Sequence, residues 1–198
     1  MAVTVRGYLH HLDDRACIDP ERLKYERFAR KAIINGRAPL RVAHNKLPGA
    51  TFAWADITED RYGAKFECSI PDRSNSHALA GMIREGTDGI SMSFRTIAKS
   101  RNGHVTIIER ARLTEISIVP QGCYPSARCW VVGPDLAYAP PAIRTLVAQW
   151  DDETGVSELT ADDMMARPRP RSSERARADP VRGAVRRFVY AYLSRGLR

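Results

Sequence analysis

The segment GISMSFRTIAKSRNGHVTIIERARLTEISIVP, residues 89–120, decides the fold. Two apolar runs flank a polar turn whose Asn102-Gly103 pair is a strong β-hairpin signal. The first run carries Ser91 and Ser93 on alternate positions, so both hydroxyls lie on one face of the strand. A serine becomes a nucleophile only beside a base, so the function depends on what other strands bring to that face.

The rest of the chain predicts a β structure with a few helices. Strand patterns are found at residues 1–9, 40–44, 51–56, 62–70 and 130–132. Helical spacing is found at residues 20–34, 76–84 and 143–149. These elements predict an α+β fold, a barrel or sandwich that closes near Trp130–Val132.

The excess of positive charge lies entirely in the C-terminal segment of the chain. The net charge of +8 equals the excess of ten arginines over Glu174 and Asp179 within residues 166–198. We therefore predict a folded core (1–133), a linker with a short helix and an acidic stretch (134–165), and an arginine-rich tail (166–198). The tail is expected to be disordered up to an amphipathic helix from Val181. Nucleic acid is not expected as a partner, except weakly through this tail, because the rest of the chain is neutral overall.

Cysteine usage and hydropathy exclude several classes of protein. The four cysteines (Cys17, Cys68, Cys123 and Cys129) form no CxxC pair, so neither a zinc site nor a disulfide framework is expected, and a reducing cytosol is the default. No apolar run is long enough to span a membrane, and the N-terminus lacks a signal-peptide pattern. No motif in the sequence predicts a cofactor or a metal.

Two further residues could complete a serine hydrolase site. His44 ends an apolar strand just before a Pro-Gly turn, where a base is anchored by the sheet and open to a cleft. Glu115 enters the apolar run ISIV, and burial of a carboxylate is costly unless it is paired. It could orient a histidine, cap a strand end or pair with Arg112.

The motifs VAHNK, GISMSFR and LTEISIVP, in this order, resemble those of the prohead proteases of tailed phages, a family related to the herpesvirus assemblins. The resemblance covers residues 1–132. It implies a mainly antiparallel β-barrel flanked by helices, and a serine endopeptidase that cleaves capsid-protein or scaffold extensions. It also implies that the enzyme acts inside the procapsid in the host cytoplasm, with the major capsid protein and scaffold as partners, and it allows self-association.

The resemblance also assigns roles to residues. Ser91 corresponds to the nucleophile, His44 to the general base and Glu115 to the third member. Ser93 stands where relatives usually carry glycine, which leaves a second hydroxyl on the same face. Oxyanion or substrate contacts are expected from Ser93 and from the loop that follows the third motif, where the candidates are Gln121, Cys123 and Arg128.

A register argument opposes this assignment. A two-residue turn at Asn102-Gly103 would pair Ser91 with Thr114, which places Glu115 on the other face of the sheet. A one-residue bulge or a longer turn would return Glu115 to the face of Ser91. Without such a shift Glu115 is structural.

Two alternatives stay open at this point. Because Ser93 replaces the glycine that relatives usually carry, the chain could instead be a non-enzymatic capsid-assembly or scaffold protein with a decayed protease core. The arginine tail allows a nucleic-acid-binding module that acts through phosphates alone.

The tail generates a first prediction. An amphipathic arginine-rich segment suits docking to scaffold or to the inner face of the capsid protein. We expect truncation after Asp163 to leave a protease that is active on a soluble peptide but missing from purified proheads. The measurement is immunoblotting of proheads together with a peptide assay, and normal incorporation of the truncated chain would rule out docking.

Overall fold

The fold is organised around a long two-stranded hairpin. The computed structural model describes residues 2–14, 16–19 and 24–154. The strands are β1 (Val3–His11), β2 (Cys17–Asp19), β3 (Lys24–Phe28), β4 (Arg37–Val42), β5 (Ala53–Glu59), β6 (Gly63–Ile70), β7 (Gly89–Asn102), β8 (Val105–Val119) and β9 (Cys129–Val131). The helices are α1 (Ser74–Arg84), a 3-10 helix (Pro134–Tyr138) and α2 (Pro141–Thr154).

Strand β8 is the strand on which the sheet is built. β7 pairs with it antiparallel along its whole length. The opposite edge of β8 carries β3 at its start and β4 at its end, both in parallel register. The strand order is β2-β3-β8-β4-β5-β6-β1-β9, with β7 on β8 outside this path, and the other pairs are antiparallel.

The structure corrects the predicted barrel. The described strands form one mixed sheet of nine strands whose path does not close, and two of its pairs are parallel. Parallel pairing arises because β3 and β4 reach β8 by long connections instead of hairpins. Two backbone hydrogen bonds, Ile90 N to Ala127 O (2.7 Å) and Cys129 N to Asp88 O (2.8 Å), link the start of β7 to the segment that enters β9.

The main core is formed by the apolar residues that the alternating pattern of the sequence predicts to be buried. In β6 the side chains of Ala64, Phe66, Cys68 and Ile70 are buried on one face. Helix α1 adds its apolar stripe to the same core through Leu79, Ala80, Met82 and Ile83. The predicted strand at 62–70 and the predicted helix at 76–84 are confirmed.

A second apolar cluster covers the other side of β1 and β9. Helix α2 packs Val147 and Trp150 against Tyr8 of β1 and Trp130 of β9. The rings of Trp130 and Trp150 meet edge to face at 5.7 Å, and the Lys65 ammonium lies 4.4 Å from the Trp150 ring. The predicted helix at 143–149 exists and is longer than expected, because its apolar positions extend to Trp150.

The predicted helix at 20–34 is wrong where the structure describes it. Residues 24–28 form β3, which pairs in parallel with the start of β8 from Tyr25 to Phe28. The helical spacing of its apolar residues was overruled by this long-range pairing, which buries Glu26 and Phe28.

The cysteine prediction fails at one position. Cys123 is disulfide-bonded, whereas no disulfide was expected. Cys68 and Cys129 are free thiols buried in the core, and burial raises the pKa of the Cys68 thiol to about 12.

Residues 155–198, which hold most of the acidic stretch and the whole arginine-rich tail, lie outside the described residues. Among those that are described, no helix has the length and apolarity needed to cross a bilayer.

A buried histidine lies in the core beside the hairpin. His10 is 1% exposed and stacks on Phe28 with ring centroids 5.0 Å apart. Its Nδ1 meets the carbonyl of His11 at 3.3 Å, and its Nε2 is buried without a hydrogen-bond partner among the described residues. Burial therefore lowers the pKa of His10.

This burial predicts acid sensitivity of the fold. Below about pH 6.5 the unfolded chain binds a proton on His10 that the folded chain excludes, so stability falls as the pH falls, by up to about 1.4 kcal/mol per pH unit. We expect His10→Phe to flatten the pH dependence of the free energy of unfolding between pH 5 and 7. Urea titrations measure it, and the exposed His104→Gln is the control. Equal slopes for wild type and His10→Phe would contradict the prediction.

Candidate active site

The end of β8 presents two chemically different faces. Glu115, Ile116, Ser117 and Ile118 are all buried, at 2% exposure or less. Ile116 and Ile118 belong to the main core, so Glu115 and Ser117 point to the opposite face of the sheet. Both faces of this part of β8 are therefore buried.

A bulge places Glu115 on the same face as the two serines of β7. Ser91 pairs with Ser117 and Ser93 pairs with Glu115, while the next pair is Phe94 with Leu113, so Thr114 is skipped. The expected pairing of Ser91 with Thr114 is therefore wrong by three residues. The turn lies at Gly103-His104 instead of Asn102-Gly103, which shifts the register by two residues, and the bulge shifts it by one more. The odd total brings Glu115 to the face of Ser91.

A tight turn after β4 carries the histidine. The turn is closed by Asn45 N donating to Val42 O at 3.0 Å. Its central residues Ala43 and His44 have φ of 49° and 56°, the left-handed region that a type I′ turn requires. Neither is glycine, so the turn is strained. Ala43 N donates to Ile118 O at 3.0 Å and extends the ladder between β4 and β8.

The three side chains form one hydrogen-bonded row. His44 Nε2 lies 3.0 Å from Ser91 Oγ, and His44 Nδ1 lies 2.6 Å from Glu115 Oε1. A carboxylate only accepts, so Nδ1 carries the proton and Nε2 keeps a lone pair toward the serine. A hydroxyl, an imidazole and an orienting carboxylate in this order can activate the hydroxyl as a nucleophile.

Glu115 is held by more than the histidine. Ser117 Oγ donates to Glu115 Oε1 at 2.8 Å, and Arg41 Nη1 lies 3.2 Å from Glu115 Oε2. The buried carboxylate thus has a cationic partner and two neutral donors, which compensates the loss of hydration. The suggested pair with Arg112 is not formed. Arg112 lies opposite Arg95 in the ladder.

Exposure rises along the row. The side chain of Glu115 is 2% exposed and that of His44 is 41% exposed. The imidazole therefore has its orienting partner in the protein and its other side open to a substrate.

The structure places the other predicted site residues around this row. Ser93 lies two residues from Ser91 on the same strand face and pairs across the ladder with Glu115. Gln121 is exposed in the loop after β8. Cys123 follows in that loop and is disulfide-bonded. Arg128 sends its guanidinium to Asp88, with Nη1 2.9 Å from Oδ1.

The loop between β8 and β9 packs tightly on the start of β7. A Cβ added at Gly89 would lie 2.5 Å from Gly122 N, and one added at Gly122 would collide with the carbonyl oxygen of Ile90. A cleft of about 230 Å³ lies between this loop and Gly89, two residues before Ser91. Burial raises the pKa of the Asp88 carboxyl on this cleft, and the nearby Arg128 opposes the shift.

Sequence reasoning missed Ser117, Arg41 and Asp88 as partners of the site. Ser117 was detectable, since the E-x-S spacing puts it on the face of Glu115. Arg41 was not, because its neighbour is set by the parallel pairing of β4 with β8, which joins residues more than 70 positions apart.

The hydroxyl, imidazole and carboxylate of this row stand in the order that serine peptidases use. A family model described as caudovirus prohead serine protease matches residues 44–137, a span that contains Ser91 and Glu115 and starts at the histidine. The resemblance to this family seen in the sequence is therefore confirmed over residues 44–137.

Two solved structures are similar to the chain. One is a crystal structure of KSHV protease in complex with a hexapeptide phosphonate inhibitor, with a TM-score of 0.44 at 12% identity, covering 77% of each chain. Another is a KSHV protease, with a TM-score of 0.39 at 9% identity, covering 77% of this chain and 74% of the other. A search of curated proteins found no match.

The close contact of the loop with β7 generates a prediction. We expect Gly122→Ala to destabilise the fold by about 1–3 kcal/mol, because the new methyl group meets backbone that has no room to yield. Gly36→Ala is the matched control, since nothing lies within 4 Å of its added Cβ. Urea unfolding of both variants is the measurement. Equal midpoints for the two would show that the loop is not packed on β7 as described.

Proposed function

We propose that the chain is a serine endopeptidase in which Ser91 is the nucleophile, His44 the general base and Glu115 the group that orients the base. The observation that carries the proposal is the continuous row from Ser91 Oγ through both imidazole nitrogens to Glu115 Oε1, at 3.0 and 2.6 Å.

The row supports acylation by the usual logic of serine hydrolysis. His44 Nε2 takes the proton of the Ser91 hydroxyl as Oγ attacks the carbonyl carbon of the scissile peptide. Glu115 stabilises the imidazolium that forms and keeps it in place. The imidazolium then gives its proton to the leaving amine, and the acyl group stays on Ser91.

Deacylation repeats these steps with water. Nε2 takes a proton from water, whose oxygen attacks the acyl carbon, and the proton then returns to Ser91 Oγ as the acid product leaves. The half-exposed imidazole supports this step, since water reaches it without a rearrangement of the fold.

For the oxyanion we propose backbone N–H groups of the loop from Gln121 to Arg128. Such donors must be fixed before the charge develops. The contact of Gly122 with the backbone at Gly89 fixes the loop close to Ser91. The Arg128 guanidinium is less suited, because Asp88 already holds it.

As the substrate we propose extensions of the major capsid protein or of scaffold, cleaved inside the procapsid in the host cytoplasm. The support is the match of residues 44–137 to a family whose description is caudovirus prohead serine protease. This segment contains His44, Ser91 and Glu115. Self-association and docking through the arginine tail belong to the same proposal.

The proposal predicts a steep loss of activity in two variants. We expect Ser91→Ala and His44→Ala each to lower turnover by about a millionfold, the loss seen when such members are removed in a well-studied serine protease. Glu115→Gln should cost less, about ten-thousandfold, because the carboxylate assists the base without reacting. The assay is co-expression with the neighbouring capsid gene, with new termini mapped by mass spectrometry.

Ser93→Ala is the matched control for this experiment. It removes a hydroxyl from the same strand face but has no contact with His44 Nε2, so processing should continue. If Ser91→Ala cleaves normally and Ser93→Ala does not, the nucleophile is Ser93. If no variant and no wild type cleaves, the chain is an assembly protein with a decayed protease core.

A further inference from the structure

Ser117 occupies a position that connects the backbone of one site residue to the side chain of another. It is fully buried, at 0% exposure. Its Oγ accepts a hydrogen bond from His44 N at 3.1 Å and donates to Glu115 Oε1 at 2.8 Å. Neither partner can exchange roles, since a backbone N–H only donates and a carboxylate only accepts. The single hydroxyl proton is therefore committed to Glu115.

The backbone at His44 requires such a partner. In a two-residue turn the N–H of the second central residue makes no bond within the turn, and His44 is in addition held at a φ of 56°. Strained backbone of this kind persists only where its surroundings determine it. Ser117 Oγ supplies the contact that fixes this residue.

We propose that Ser117 is a positioning residue that sets the distance between His44 Nε2 and Ser91 Oγ, an inference that rests on the proposed function. It holds the base from two directions at once. One bond fixes the backbone from which the imidazole projects, and the other fixes the carboxylate oxygen that receives Nδ1–H. Ser117 also lies directly opposite Ser91 in the ladder, so it ties the base to the strand of the nucleophile.

The role differs from support of the fold alone. Loss of the hydroxyl would free the turn to relax out of the left-handed region and carry the imidazole away from Ser91. A displacement of about 1 Å between reacting groups costs on the order of a hundredfold in rate. Binding of a ligand would change little, because Ser117 is buried behind the row.

The experiment uses the full chain and a fluorophosphonate that acylates activated serines, so no natural substrate is needed. Saturation kinetics separate the inactivation rate constant from the half-saturation concentration. We expect Ser117→Ala to lower the rate constant by about ten- to hundredfold, the range for a lost hydrogen bond to a charged group, with the half-saturation concentration unchanged.

Ser76→Ala is the matched control. Ser76 is also 0% exposed, and its Oγ also accepts from a backbone N–H and donates to an oxygen, here both of Arg73 at the start of α1. It should lose stability in the same way and keep the wild-type rate constant. An equal fall in both variants would show that only stability matters, and would overturn the proposal.

Ser117→Thr and Ser117→Val keep the test decisive if the alanine variant does not fold. The two side chains have the same shape, and only threonine retains the hydroxyl. Threonine should restore most of the rate constant and valine should not, whereas equal rates for the two would overturn the role of Ser117. Wild type that is not labelled at Ser91 would overturn the proposed function itself.

Discussion

The buried carboxylate of Glu115 is the constraint on which the arrangement of this end of the molecule depends. A charge at 2% exposure is tolerated only when donors replace the lost water. Those donors come from Arg41 on β4, from the turn that follows it and from Ser117 on β8 itself. The parallel pairing of β4 with β8 and the bulge at Thr114 both serve to bring these donors to one point.

The strain at Ala43 and His44 follows from the same constraint. A histidine at the end of a regular strand would continue along the sheet edge, away from the carboxylate. A left-handed turn folds it back over β8, and the ladder bond from Ala43 to Ile118 fixes the point where the reversal begins. Strain of this kind is common at functional sites, where the surrounding structure holds a residue in a geometry that it would not adopt alone.

The sequence predicted the members of the row but not how they meet. Ser91, His44 and Glu115 were singled out from motif order and from the cost of a carboxylate in an apolar run, and the structure places the three within hydrogen-bonding distance. The register could not be derived, because a bulge depends on packing on both sides of β8 and leaves no local signature. Ser117 was overlooked, although the E-x-S spacing places it on the same strand face as Glu115.

The errors in the predicted fold have the same origin. The spacing of apolar residues at 20–34 is typical of a helix, but parallel pairing with the start of β8 stabilises a strand at residues 24–28 instead. The open mixed sheet also rests on pairings between distant segments, whereas helix α1 and strand β6, which depend on local pattern, were predicted well.

The wide sequence separation of the row has a consequence for the timing of activity. The contacts of His44 with Ser91 and Glu115 span 47 and 71 positions, and the β8 strand that unites them is made after the other two residues. A growing chain therefore exposes the hydroxyl and the imidazole during synthesis without joining them. Pairing between such distant segments is slow to form, so the row on which the proposed activity depends is complete only once β8 is in place.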